Sequence, residues 1–284
     1  MLKDYLQLVR FPGIFTAFSN VLVGYFFSLY VNPESFSLPY LLVTSGMLFS
    51  AGMIFNDFFD INIDKKERPN RPLPSEKIFK QNALFLGIIL IVIANIFTLF
   101  VGYYALILSV FMTIIILFYN YKLKFHSFFG IFSLSGIRFL NILLGFSILP
   151  FSIETFQYAF PVAIFVCGIS ILAKDETNSI KSFYVKLNKI FNIMTISYVL
   201  FLIINSFQFV SLAFLSLFSL LSLNLFYKNH SQKPNIQKYV TFQLLSIILL
   251  DATLISIISS YHFAILVSLL LIPSYVITRK LYLT

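Results

Sequence analysis

NDFFDINIDKKERPNRPLP, from Asn56 to Pro74, is the stretch on which the reading of this chain turns. It sets three aspartates, Asp57, Asp60 and Asp64, ahead of Lys65, Lys66, Arg68 and Arg71, with Lys77 just beyond and long apolar runs on both sides. On a helix, Asn56, Asp60, Asp64 and Arg68 recur every four residues, with Asp57 one turn before Asp60. The spacing therefore predicts carboxylates that share one face. Carboxylates so crowded repel unless a cation lies between them. For oxygen-only ligands that cation is a hard divalent ion, Mg²⁺ above all, which takes one or two carboxylates and shares its other positions with substrate phosphates. The arginines and lysines that follow are suited to bind such phosphates.

The flanks of this stretch decide the fold class. The 284 residues are 59% apolar, 18% aromatic and only 11% charged, with a mean hydropathy of +0.90. A soluble domain carries about 25% charged residues, so the expectation is an all-α, polytopic membrane bundle. Runs long enough to cross a bilayer occupy residues 13–31, 38–55, 82–101, 103–119, 128–149, 158–173, 189–206, 209–227, 240–259 and 263–278. Tight joints near Gly102, Gln208 and Tyr261-His262 leave nine or ten helices open, in one membrane domain spanning 1–284.

Charge placement argues for ten. Lys3 and Arg10 precede the first run, six basic residues follow the second, and Lys122 and Lys124 follow the fourth. Lys174, Lys181, Lys186 and Lys189 follow the sixth, Lys228, Lys233 and Lys238 the eighth, and Arg279 and Lys280 the tenth. All lie on one side if both termini are cytoplasmic, and the opposite loops carry no Lys or Arg. This positive-inside pattern sets Asn56–Pro74 on the cytoplasmic face. The net charge of +9 is thereby an orientation signal spread over short loops, which argues against a nucleic-acid partner. The first ten residues, MLKDYLQLVR, are mixed and amphipathic, so no cleavable signal peptide is expected. Cys167 alone offers neither a disulfide nor a metal cluster, and His126, His230 and His262 have no partner at metal-ligand spacing.

Two ionisable residues lie inside apolar runs: Arg138 in GIRFLNILLG and Asp251 in LLDATLIS. Charges at membrane depth are costly and face a cavity or each other, which makes both functional candidates. Two readings stand open, an ion pair tying helices together and a polar cavity wall meeting a substrate. Asn141, three residues from Arg138, and Asn20 in the first run join the same candidate wall, while Gly136 and Gly145 are expected to let helices pack closely. A second charged cluster, Lys174, Asp175, Glu176, Thr177, Asn178 and Ser179, ends the sixth run on the same face as the first. Two such clusters can hold divalent ions across a diphosphate, although Asp175 is followed four residues on by Ser179, not by an acid.

With these residues in hand, the chain resembles the UbiA superfamily of intramembrane prenyltransferases. NDFFDINID is similar to that family's motif NDxxDxxxD, and ERPNRPLPS continues it as in branches that make archaeal ether lipids and chlorophyll. RFPGIFTAFSNVLVG resembles the family's first helix, and the fifth run is similar to the EboC-like branch. The resemblance implies a helical bundle around a central cavity capped by the loops after helices two and six. It implies Mg²⁺-dependent transfer of a polyprenyl group from its diphosphate to an apolar or amphipathic acceptor. It further implies that Asn56, Asp57, Asp60, Asp64, Asp175 and Glu176 hold metal and that Arg68, Arg71 and Lys174 hold diphosphate. Asn20 and Asn141 then join the binding wall, and Asp60, Asp64, Asp175, Arg138 and Asp251 are the candidates for the chemistry. A non-catalytic lipid- or diphosphate-binding or transport protein of the same fold is the alternative.

Overall fold

The computed structural model describes residues 1–33, 36–150, 152–173, 182–224 and 236–281. Helices α1 (Leu2–Leu8), α2 (Phe11–Val31), α3 (Leu38–Phe59), α4 (Ile61–Glu67), α5 (Lys80–Leu99), α6 (Tyr103–Tyr121) and α7 (Ser127–Phe146) form the first half. They are followed by α8 (Ile153–Ala173), α9 (Ser182–Ser206), α10 (Ser211–Asn224), α11 (Ile236–Ile258), α12 (Tyr261–Ser268) and α13 (Leu271–Thr278). Among the described residues nine helical spans are long and apolar enough to cross a membrane, α12 and α13 together counting as one, and α10 is a shorter apolar helix between the seventh and eighth of them. Each apolar run of the sequence thus contains a helix among its described residues. Ser274 of α13 donates to the carbonyl of Pro12 at the start of α2, 2.7 Å away. The start of the first span and the end of the last thereby lie together, and the 14-residue α10 packs between α9 and α11.

Chain neighbours pack as spatial neighbours in a closed ring: α2 on α3, α3 on α5, α5 on α6, α6 on α7, α7 on α8, α8 on α9, α9 on α10, α10 on α11, and α11 back on α2. Across the ring α2 packs on α7 and α8 on α11. Small residues permit the α2–α7 contact. A Cβ at Gly24 would collide with the carbonyl of Ile142 and the amide of Phe146, and one at Gly145 with the carbonyl of Val21. Lipid tails are as apolar as these helices, so close backbone approach is the main source of attraction. Gly136 plays no such part, because a Cβ there would have no atom within 4 Å; it lies on a different face of α7 from Gly145.

The space between α3 and α7 is the consequence that matters. Along α3 and its C-cap, Phe49, Met53, Asn56 and Asp60 are half-buried, whereas their neighbours Leu48, Ile54, Phe55 and Asp57 are buried. The spacing of four, three and four puts the half-buried set on one stripe. Its contacts with α2, α6 and α7 show that it looks into the ring, and it runs roughly 16 Å at a rise of 1.5 Å per residue. The α2–α7 seam is testable. Gly145→Val is expected to destabilise the protein by about 3 kcal/mol or more in detergent micelles, while Gly136→Ala stays within about 0.5 kcal/mol, both read by thermal unfolding.

Candidate active site

The aspartate-rich segment does not continue as one straight helix. α3 ends at Phe59, and Asp60 (φ −91°, ψ 5°) is the joint from which α4 departs. The following loop turns back on itself, with the Ser75 amide donating to the Arg71 carbonyl (3.0 Å) and the Ile78 amide to that of Pro72 (3.2 Å). Leu73 and Ile78 bury themselves against Leu8, Ile54 and Ala83. That small apolar cluster ties α1, α3, the loop and the start of α5 together, and it delivers Arg71 to the aspartates.

The three carboxylates consequently divide. Arg71 Nη1 stands 2.7 Å from Asp64 Oδ2 and 3.2 Å from Asp57 Oδ1, all three residues being buried. Arg10 adds a second cation to Asp57 Oδ1 at 3.2 Å, from a left-handed backbone (φ 47°, ψ 55°) that joins α1 to α2. Asp60 instead faces the stripe and pairs with Lys124 Nζ at 2.6 Å. Lys124 comes from a 3-10 turn, Leu123–Phe125, between α6 and α7. Asp57 and Asp64 share a face, whereas Asp60, on the side of Asn56 four residues before it, parts from them, so the three carboxylates do not share the single face that the spacing predicts.

Asn56 is positioned by a residue that the sequence reading passes over. Its Nδ2 donates to Asn120 Oδ1 (3.3 Å), and Asn120 in turn donates to the carbonyls of Gly52 (3.2 Å) and Ile116 (2.9 Å). With its amine so engaged, Asn56 turns its Oδ1 toward Arg10 Nη2, 3.4 Å away. Arg10, Asn120 and Lys124 are thus site residues beyond the candidates named above. Asn120 was visible as an amide closing an apolar run; Arg10 and Lys124 were legible only as topology markers. Arg68 is half-buried at the end of α4. Lys174, Asp175, Glu176 and Ser179 lie outside the described residues.

The donor set suits a hard cation. Asn56 and Asp60 offer oxygens on the half-buried stripe, Asp57 Oδ2 is a buried carboxylate oxygen without a hydrogen-bond partner, and the Lys124 ammonium shows that Asp60 accepts a cation where it stands. Asp64 and the Oδ1 of Asp57 already meet arginines, which leaves a small set of free oxygens, as Mg²⁺ ordinarily takes from protein.

A second polar cluster lies deeper. Arg138 Nη1 donates to Asn20 Oδ1 and its Nη2 to Thr16 Oγ1, each at 2.9 Å, and its guanidinium lies 5.5 Å from the centre of the Phe49 ring. Asp251 Oδ2 accepts from Asn20 Nδ2 (2.7 Å) and Ser19 Oγ (2.5 Å). Asn20 therefore stands between the two charges, its oxygen to the cation and its nitrogen to the anion, where the sequence left a direct pair open. Asn141 ties α7 to α2 by donating to the Ala17 carbonyl at 2.9 Å.

A family model for the UbiA prenyltransferases matches residues 17–248. The chain belongs to the UbiA prenyltransferase family. A digeranylgeranylglyceryl phosphate synthase from Saccharolobus solfataricus is 32% identical over 222 residues, covering 73% of this chain and 78% of that one. A solved digeranylgeranylglyceryl phosphate synthase superposes with a TM-score of 0.64 over 92% of this chain and 99% of its own, at 22% identity. A UbiA homologue from Archaeoglobus fulgidus, bound to DMAPP and Mg²⁺, gives 0.62 over 88% and 99%, at 13% identity. These two structures share the fold of this chain, a multi-pass membrane bundle of prenyltransferase lineage.

The buried clamp has a measurable signature. Arg71→Met strands Asp64 and leaves Asp57 with Arg10 alone, and is expected to cost roughly 3–5 kcal/mol of stability. Adding Asp64→Asn removes that stranded charge and should recover about 1–2 kcal/mol, as read by thermal unfolding in detergent.

Proposed function

We propose that this protein is an Mg²⁺-dependent prenyltransferase that moves a polyprenyl group from its diphosphate to an oxygen of an amphipathic lipid acceptor. The observation that carries this reading is the pairing of Asp60 with Lys124 at the head of a stripe that runs into a membrane-embedded bundle. An ionic head and a hydrocarbon tail need that combination, a charged mouth above an apolar interior. The relatives named digeranylgeranylglyceryl phosphate synthase support a glyceryl lipid as the acceptor class and geranylgeranyl as the transferred group. The positive-inside pattern supports a cytoplasmic mouth with both termini on that side.

In this reading Asn56 and Asp60 hold the first ion, while Asp57 and Asp64, clamped by Arg10 and Arg71, hold the segment in shape. Mg²⁺ bound there supplies charge neutralisation for the pyrophosphate leaving group. Lys124 is already at the mouth and adds a compact, mobile positive charge for diphosphate oxygens; Arg68, at the end of α4, adds a fork of donors. The bond from the allylic C1 to the diphosphate oxygen breaks, the bundle keeps water from the carbocation, and the acceptor oxygen bonds to C1. The hydroxyl proton leaves with the pyrophosphate. Asp175 and Glu176, which follow α8 in the chain, are proposed as ligands of a second ion.

Asp60→Ala is the direct test. It is expected to lower Mg²⁺-dependent transfer from geranylgeranyl diphosphate to geranylgeranylglyceryl phosphate by about 100-fold or more, with the unfolding temperature in detergent near that of the unaltered protein. Turnover at the original rate would remove Asp60 from the metal site.

A further inference from the structure

The cluster around Arg138 is unspent. A guanidinium has five N–H donors, and two of Arg138's are engaged, by Asn20 and Thr16. Asp251 Oδ1 is buried without a hydrogen-bond partner. A device meant only to hold helices together would bring the two charges into contact and satisfy both. Here Asn20 separates them, and the cluster keeps free donors on one member and a free acceptor on another.

Its place excludes two of the candidate occupants. The diphosphate belongs at the Asp60 mouth, and a polyprenyl tail has no polar atom to match. Thr16 lies five residues along α2, so the guanidinium that it holds sits roughly 8 Å below the mouth. α7 begins at the mouth and helical side chains lean toward the N-terminus, so Arg138 reaches back toward Asp60 and not away from it. Its half-buried side chain, against buried Thr16, Asn20 and Asp251, opens on the same interior as Phe49. What remains to occupy that position is the second substrate.

Charge decides which part of it. Arg138 and Asp251 cancel, and Ser19, Asn20, Thr16 and Asn141 around them are neutral. An added anion at this depth would meet a carboxylate already present, with little solvent to screen it. We propose that Arg138, held by Thr16 and Asn20 and counter-charged by Asp251 through Asn20, is the seat for an uncharged oxygen of the acceptor, a hydroxyl or ether, and that any phosphate on the acceptor binds elsewhere. This deepens the proposed function and rests on it. A hydroxyl both accepts and donates, and so complements the free N–H groups of Arg138 and the free oxygen of Asp251.

The experiment titrates the full-length protein in detergent with geranylgeranylglycerol, its phosphate monoester, and geranylgeranyl diphosphate with Mg²⁺, using calorimetry. Arg138→Met and Asp251→Asn, alone and combined so that one variant set leaves no stranded charge, are compared with the unaltered protein. The expected result is at least about tenfold weaker binding of the glycerol lipid and of its phosphate alike, with geranylgeranyl diphosphate binding within about twofold. Unchanged glycerol-lipid affinity in the combined variant, or a penalty confined to the phosphate, would overturn the assignment. If the unaltered protein fails to bind geranylgeranyl diphosphate, the proposed function falls, and the glycerol-lipid arm still decides this inference.

Discussion

One guanidinium holds the mouth of this protein together. Arg71 is shared between Asp57 and Asp64, residues seven apart that would repel across two turns of helix, and it lies buried with both. Buried ions lose their hydration, and their mutual attraction offsets that cost only where the geometry is good and further hydrogen bonds are made. Arg10 provides the additional partner for Asp57, and the packing of Leu73 and Ile78 on Leu8 and Ile54 holds the loop that carries Arg71. The clamp and the apolar cluster depend on each other, because either without the other would leave charge or hydrocarbon in the wrong solvent.

The division of the aspartates follows from that clamp. With Asp57 and Asp64 neutralised on one side, Asp60 continues the interior stripe of Asn56, where Lys124 meets it. Three cations and three carboxylates then balance at the mouth. A site so balanced can accept a metal and a polyanionic diphosphate together with little net change in field, whereas an acidic cluster alone would repel the diphosphate.

The depth of the interior is set by a different constraint. Gly24 and Gly145 let α2 and α7 approach to backbone contact, while the stripe on α3 from Phe49 to Asp60 remains only half covered. Tight packing on one side of the ring and loose packing on the other is how a bundle of apolar helices keeps room for a substrate. At the lower end of that room, Arg138 and Asp251 carry charge where hydrophobic residues of similar volume would often be as stable. Their retention is more readily explained by recognition than by stability.

Much of this was legible in the chain itself. Hydropathy placed every span, because a bilayer leaves the backbone no alternative to internal hydrogen bonding, and alternate-loop charge indicated an even number of crossings. The motif NDFFDINID announced a cation and phosphate site through residue types alone, and Arg138, Asp251, Asn20 and Asn141 stood out as polar groups in apolar runs. What the sequence could not assign was partnership. Arg71 read as a phosphate ligand and is found between Asp57 and Asp64; Arg10 and Lys124 read as topology markers and sit on Asp57 and Asp60; Gly136 and Gly145 looked alike, and only the second touches a neighbour. Helix periodicity defines a face, but which charge meets which depends on a bend at Asp60, a loop that folds back, and two helices brought into contact from opposite ends of the ring. Those are long-range consequences of packing, and only the tertiary structure decides them.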